Sequence, residues 1–481
     1  MSLSERVGRN AAAQLAGRLT TSALAFVITA LILPRQLGLE DFGVFAFHVT
    51  LYQLVMNVLD FGAGTIVIRE VSRRRAEADQ LLGLLVRLKA LVAAAGVVAL
   101  MGVAWLSEDD PTRRALLVVG AFHMLIHAPA GLTAIFHVDM AFRRHVLATV
   151  LGQAAWLAAT LVLVLLAIRE PVPYVLAFAV GPVVAGGLGW VWARRRVRPR
   201  FDAPPGALAE LWREAWPAGV AMTAASVYFH LDTAMLRPLA GEVATGHYSA
   251  AYRLMTFLLM VPVLFSQVIF PVYARLADGP AAPLALFHGR AVATLAAVGL
   301  LVPASVPLVA DEVMQLVYPP DFAVGAGALV VLCLAVPCVF LTYPHVQVLL
   351  ARGHQRVQMR ISVGAALLNV VANLWAIPRW GILGAAWTTV ATEGVVLVGS
   401  VWCSWRLVGV RARPAALARP VLCAAGAGGL LALSLPWVQA DTAWITAGLR
   451  VALAVLVCAV ALAASGVLPL DLGTEEGAPR A

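Results

Sequence analysis

Of the 481 residues, 61% are hydrophobic and only 13% charged, about half the charged fraction of an average soluble domain; the composition excludes a water-soluble globule. The formal net charge of +9 does not call for nucleic acid, because the basic residues sit where membrane orientation puts them. Lys89 is the only lysine, so arginine identity by itself carries little information.

Apolar windows of about 18–25 residues, the length that crosses a bilayer, recur fourteen times, at about 10–33, 42–68, 81–106, 114–137, 146–168, 174–193, 214–237, 247–274, 289–310, 324–350, 361–378, 384–405, 420–438 and 448–468. They predict an all-α polytopic membrane protein with about 14 transmembrane helices. No connection between windows is long enough for a folded domain. The first window lacks a short apolar core followed by a cleavage site and reads as a retained helix.

Segment one carries Asn10, Gln14, Arg18 and Thr21/Ser22, a spacing that collects polar groups on one helix face. A guanidinium roughly 12 Å inside the apolar stretch costs a few kcal/mol unless it meets a partner, water or an anion. Segment two repeats the pattern with Thr50, Gln53, Asn57 and Asp60; the following Phe61-Gly62, with Gly64, alternatively makes Asp60 the cap of a helix break. In segment four His123 and His127 share a face, but without a carboxylate they read as interhelical donors and not as a metal site.

The basic stretch Arg194 to Trp212 is the longest polar interruption and reads as a linker after six helices. Beyond it, segment seven carries Thr223, Ser226, His230, Thr233 and Arg237, and segment eight Ser249, Tyr252/Arg253, Thr256 and Gln267. Four polar stripes on segments one, two, seven and eight point to a cavity within the membrane; taken singly, each Ser or Thr is accounted for by hydrogen bonding between helices. Arg18 and Arg253 are candidate phosphate hosts through charge-assisted forks, with an Arg253–Asp232 ion pair as the alternative. Glu393, deep in segment twelve, is either a titratable coupling group or a hydrogen-bond partner of Asn369 or Asn373. Arg450 is placed to snorkel to an interface. The five cysteines lie in or beside apolar windows without metal spacing and read as small apolar residues.

With the N-terminus inside, 24 of the 35 Lys+Arg fall on cytoplasmic ends and loops, among them Arg69, Arg73 to Arg75, Arg143, Arg144, Arg194 to Arg196, Arg352, Arg356, Arg360, Arg411 and Arg413. This asymmetry predicts both termini in the cytoplasm. Gly38-x4-Gly43-x-Phe45 after segment one returns as Gly241-x4-Gly246-x-Tyr248 after segment seven, an offset of 203 residues. Together with the linker it predicts two pseudo-symmetric six-helix lobes, residues 1–200 and 201–410, with two further helices and a tail in 411–481; such repeats put a transport site at their interface. There is no Walker-type glycine loop, zinc spacing or nucleophile elbow, so no cofactor, metal or catalytic residue is expected.

Leu33-Pro34-Arg35-Gln36-Leu37-Gly38, Phe42-Gly43-Val44-Phe45, Asp60-Phe61-Gly62 and Arg69-Glu70 resemble the opening of the polysaccharide transporters of the MATE-related multidrug/oligosaccharidyl-lipid/polysaccharide superfamily. Asp232-x2-Met235-Leu236, Gly246 to Leu254, Phe270-Pro271, Ala351-Arg352-Gly353 and Asn369, Asn373 and Ile377 to Ala386 follow in the family's order. In the loop Tyr318 to Phe322, Pro319 and Pro320 replace the family's glycine region. The resemblance spans at least 1–405 and implies a V-shaped central cleft and a flippase. Its cargo would be a lipid-linked oligosaccharide, usually on undecaprenyl diphosphate, carried from the inner to the outer leaflet of the cell membrane by alternating access. The polar stripes supply the candidate substrate-binding set, Asn10, Gln14, Arg18, Gln53, Asn57, Asp60, Ser226, His230, Arg253 and Thr256, with Asp232 and Glu393 as candidate coupling or ion-pair residues. Membrane lipids, a polysaccharide polymerase or glycosyltransferases, and H+ or Na+ as coupling ion are the candidate partners. A lipid II flippase, a cation-coupled multidrug exporter, and a membrane glycan polymerase or ligase are the alternatives; short loops count against the last.

Overall fold

The computed structural model describes residues 3–60, 63–107, 109–139, 141–202, 206–277, 279–411, 414–440 and 442–466, which contain helix, turn and irregular backbone but no strand. In chain order the helices are α1 (Leu3–Phe26), α2 (Leu33–Asp60), α3 (Ala63–Arg73), α4 (Ala78–Ser107), α5 (Pro111–His127), α6 (Ala134–Val138), α7 (Phe142–Leu165), α8 (Pro171–Ala193), α9 (Ala207–Leu258), α10 (Met260–Leu276), α11 (Ala281–Ser305), α12 (Ala310–Val317), α13 (Gly325–Cys333), α14 (Ala335–Ala351), α15 (Gln355–Val408), α16 (Pro414–Ser434) and α17 (Ala443–Ala464). One π-helical stretch, Val27–Ile32, joins α1 to α2.

Ten helical stretches among the described residues are long and apolar enough to cross a membrane, which makes this a multi-pass membrane protein. Three of them run to 42, 47 and 54 residues, where about 20 suffice for one crossing. Each contains a backbone break at a glycine, at Gly38, Gly241 and Gly381, and each is long enough for two passes. At Gly38 (φ 73°, ψ −177°) and Gly241 (φ 88°, ψ 175°) the backbone occupies a region essentially closed to residues with a Cβ. The repeated glycine motif therefore marks two helix breaks of nearly the same geometry.

The chain divides into two compact units, residues 1–246 and 247–481. In the first, α1 rests on α7 where Gly17 meets Val146, and α7 approaches α8 where Gly152 faces the Gly181 carbonyl. Small residues permit such backbone approach where water supplies no driving force between helices. Phe178 of α8 takes edge contacts from Tyr52 of α2 and Trp156 of α7, with centroids 5.5 and 5.0 Å away. The polar ends are tied together as well: Asp139 binds Arg75 through one carboxylate oxygen (2.9 Å) and Arg196 through the other (2.7 Å). Two loops with predicted basic clusters, after α3 and after α8, therefore share one end of the bundle.

The stretch after Arg194 is strapped down along α4. Arg200 N donates to the Asp79 carbonyl (2.8 Å) and Arg198 N to its carboxylate (2.9 Å), while the Arg200 carbonyl fills the space a Cβ at Gly83 would need. Val197, Leu211 and Ala215 join the core formed by α3, α4 and α6. Hydrogen bonded to Arg200, the exposed Asp202 carboxyl is held below the usual carboxylate range.

In the second unit α11 packs between α14 and α16, and α15 packs on α14. Gly299 admits Phe340, whose Cβ lies 3.0 Å from where a Cβ would stand. Leu301, Ala427, Leu431 and Val457 belong to a cluster that docks α16 and α17 onto α11.

Candidate functional site

Within residues 1–246 the two glycine hairpins lock together. A Cβ at Gly43 would overlap the Glu242 carbonyl oxygen, and a Cβ at Gly246 would overlap the Leu39 carbonyl oxygen. Around this contact Arg237 Nε donates to Glu242 Oε1 (3.2 Å), the two side chains being 12% and 18% exposed, and the guanidinium lies 4.7 Å over the Phe47 ring. Arg237, counted on the polar stripe of segment seven, thus fastens the hairpin of α2 to α9.

Gly17, seated on α7, explains how α1 presents its polar residues. Successive residues turn by about 100°, so Gln14 and Thr21 flank the packed side and are half-buried, whereas Arg18 swings clear and is exposed. The Arg18 carbonyl accepts a bond from Thr21 Oγ1 (3.0 Å), but no group among the described residues pairs with its guanidinium. Gln53 is half-buried on α2, and His230 is half-buried on α9 beside the buried Asp232 and Thr233. The side chains of Asn10, Asn57, Asp60, Ser226, His123 and His127 lie outside the described residues. Gln14, Arg18, Gln53, His230 and Asp232 are thus carried by the first unit, and Arg253, Thr256 and Glu393 by the second.

In the second unit Arg253 is half-buried, within electrostatic reach of the Tyr318 and Tyr252 hydroxyls. The Tyr318 hydroxyl donates to the Ala250 carbonyl (3.0 Å), and Tyr248 OH lies 3.1 Å from Thr389 Oγ1. These bonds anchor the helical turn that presents Arg253. Thr256 spends its hydroxyl on the Arg253 carbonyl (3.0 Å), which leaves only its oxygen lone pairs for a ligand.

The two arms of α15 bury a polar face. Ser362, Asn369 and Asn373 lie on one arm and Thr388, Thr389, Thr392, Glu393, Ser400 and Ser404 on the other; steps of four and seven residues (369/373, 388/392, 389/393, 393/400, 400/404) keep them on one side of the helix. Asn373 Nδ2 donates to Asn369 Oδ1 (3.1 Å). Glu393 is 4% exposed and lies within electrostatic reach of Cys338 of α14.

A buried chain that the sequence did not disclose crosses four helices of this unit. Tyr273 OH lies 2.9 Å from His288 Nδ1, the His288 and His345 rings meet edge to face at 4.6 Å, and His345 Nδ1 lies 2.8 Å from Ser404 Oγ. Ser404 gives its one proton to the Val401 carbonyl (2.9 Å), so His345 must be the donor in the last contact. A second missed pair joins Arg450 Nη1 to Glu312 Oε1 at 2.8 Å, with Arg450 Nε on the Val438 carbonyl at 3.2 Å; Arg450 is tied to a partner and does not merely reach for an interface. Apolar periodicity reports neither the His345–Ser404 nor the Arg450–Glu312 bond, because the partners lie 59 and 138 residues apart.

Residues 7–277 match the family model described as "Polysaccharide biosynthesis protein". Among solved structures the chain is similar to the lipid II flippase MurJ in an inward closed conformation, with a TM-score of 0.76, 10% identity, and 94% of this chain and 97% of that chain covered. It is also similar to an inward-facing multidrug resistance MATE family transporter of the MOP superfamily (TM-score 0.68, 16% identity, 81% and 94% covered). A further likeness is to a MOP superfamily transporter from Pyrococcus furiosus Vc1, described by the reverse polarity of its binding pocket (0.55, 16%, 85% and 95%). At such identities the likeness establishes the fold. No curated protein matches the chain in sequence.

Proposed function

This chain belongs to the polysaccharide biosynthesis protein family, and from that premise we propose that it is a flippase for a lipid-linked oligosaccharide, with a polyprenyl diphosphate such as undecaprenyl diphosphate as the carrier. The observation that carries the proposal is Arg18, an exposed guanidinium inside an apolar span. A cation there is costly unless it has an anion to meet, and a diphosphate matches the planar fork of arginine. Half-buried Gln14, Gln53, His230, Arg253 and Thr256 supply hydrogen-bonding groups suited to phosphate oxygens and sugar hydroxyls; Asn10, Asn57, Asp60 and Ser226 complete the proposed set. No catalysis is assigned: the cargo changes leaflet without a bond being made or broken.

The proposed cycle is alternating access between lobes 1–200 and 201–410, with 411–481 adding two helices and a tail. The Asp139 clasp supports a common side for the loops after α3 and α8, and their arginines make that side the cytoplasm of an inner, cell-membrane protein with both termini inside. A polymerase or glycosyltransferases acting on the same carrier are the proposed partners, and H+ or Na+ the coupling ion.

The test is reconstitution in vesicles, following passage of a fluorescent polyprenyl-diphosphate oligosaccharide between leaflets. Arg18→Ala should reduce the rate at least about tenfold, the loss of one charge-assisted contact, while Arg18→Lys retains part of it. A well-folded Arg18→Ala protein that flips at the wild-type rate overturns the proposal. A second reading, flipping of lipid II, is favoured by the coverage of 94% of this chain in the likeness to MurJ; both cargoes offer a diphosphate, and competition between them in the same vesicles separates the two.

A further inference from the structure

α11 and α16 both start near arginine-bearing turns, at Arg275 and at Arg411 and Arg419, and run away from them. Beyond their far ends, α12, the turn after α16 and the first turns of α17 surround a cavity of about 400 Å³. Asp311, Glu312, Gln315, Gln439, Thr446 and Arg450 give it a polar wall.

Part of this wall has a structural cause. Arg450 is the single charged residue of α17, and its bonds to Glu312 and the Val438 carbonyl settle that charge. Thr446 is engaged with the backbone of Ala440. Docking α17 on α12 does not, however, require Asp311, Gln315 and Gln439, all of them exposed at the cavity. Gln439 makes one long bond, 3.4 Å from Nε2 to the Pro436 carbonyl, and keeps its oxygen open.

The chemistry of the wall selects a ligand class. Two carboxylates against one guanidinium leave the cavity with one net negative charge, which disfavours phosphates and other anions. Ionised carboxylates accept from sugar hydroxyls, and the amides of Gln315 and Gln439 can accept from one hydroxyl and donate to the next. Ala440, Ala443 and Ala447 complete the lining, an apolar strip that can take the C–H side of a sugar ring beside the polar groups. The volume is at the lower end of ligand pockets, enough for a small saccharide.

We propose that this cavity is a saccharide-binding site that takes neutral or amino sugar units and rejects uronic acids. That the sugar is the head group of a transported lipid rests on the flippase reading above; the binding site itself does not. The full chain in nanodiscs is titrated with three free disaccharides, one neutral, one with an amino sugar and one with a uronic acid, and binding is read by saturation-transfer NMR. The neutral and amino disaccharides should bind, with the uronate at least about tenfold weaker. Asp311→Ala and Gln439→Ala should each weaken binding about tenfold, the loss of one hydrogen-bonding side chain, and Arg352→Ala at the opposite end should leave it unchanged. Absence of binding by all three, preference for the uronate, or wild-type binding by both variants overturns the site. Vesicles made from the same protein separate the two proposals: flipping without saccharide binding removes this site alone, and binding dependent on Asp311 without flipping upholds the site and removes the flippase reading.

Discussion

Gly43 abuts the backbone carbonyl of Glu242, and 203 residues on from Gly43, Gly246 abuts that of Leu39. The same offset carries Leu39 to Glu242, so each contact is the image of the other, as in an isologous interface where residue i meets j and j meets i. The relation joins two hairpins of one chain, each broken at a glycine (Gly38 and Gly241) that only a residue without a Cβ can occupy comfortably.

Gly43→Ala and Gly246→Ala should each destabilise the protein by about 1–3 kcal/mol, because the added methyl meets backbone atoms that cannot rotate away. Gly38→Ala should cost about 1–3 kcal/mol through its backbone conformation instead. Thermal unfolding of the detergent-purified variants measures both, and an unchanged midpoint in Gly43→Ala would contradict the close approach.

The Arg237–Glu242 pair makes a different prediction. Breaking so enclosed a pair by removing one partner should cost about 3–5 kcal/mol; replacing both by apolar residues of similar size restores most of it. Glu242→Ala should therefore be less stable than the double variant Arg237→Met/Glu242→Leu. A double-mutant cycle in which the effects simply add would show that the two charges do not interact.

The Asp139 clasp predicts sidedness. In a background with the five cysteines replaced, Arg75→Cys and Arg196→Cys should react with an impermeant thiol reagent from the same face of sealed vesicles, and Asp311→Cys from the other. Labelling of residues 75 and 196 from opposite faces would dismantle both the clasp and the proposed topology.

For Glu393, the expected result of Glu393→Gln is a folded protein whose transport no longer responds to an imposed proton or sodium gradient. If wild-type transport ignores both gradients, or the variant keeps the response, Glu393 is a partner for neighbouring helices and nothing more.

Much of this structure could be read from the residues, and what escaped did so for a definable reason. Apolar windows locate helices because crossing a bilayer fixes their length, and the glycine repeat stood out because a helix break and a close approach each demand glycine at set positions. Polar stripes were less decisive. Arg18 and Gln14 belong to one stripe, yet Gly17 on Val146 turns Arg18 outward and leaves Gln14 half-covered; periodicity gives the face, and only the neighbour decides what that face meets. The partners of His345 and Arg450 stayed hidden because hydrogen bonds across helices obey three-dimensional proximity, which a single sequence does not record.

The clasp at Asp139 also sets an order of events during synthesis. Arg196 follows Asp139 by 57 residues, which at about 5–20 residues per second is roughly 3–11 s of translation. Arg75 can meet Asp139 as soon as the intervening helices have entered the membrane, but the second oxygen waits for α7 and α8 to arrive. Until then the carboxylate is held from one side only, and a ribosome stalled between residues 139 and 196 would leave a half-closed bundle. Ribosome-bound chains truncated at successive lengths should show protease resistance of the 75–139 region rising in two steps, the later one only after Arg196 has emerged.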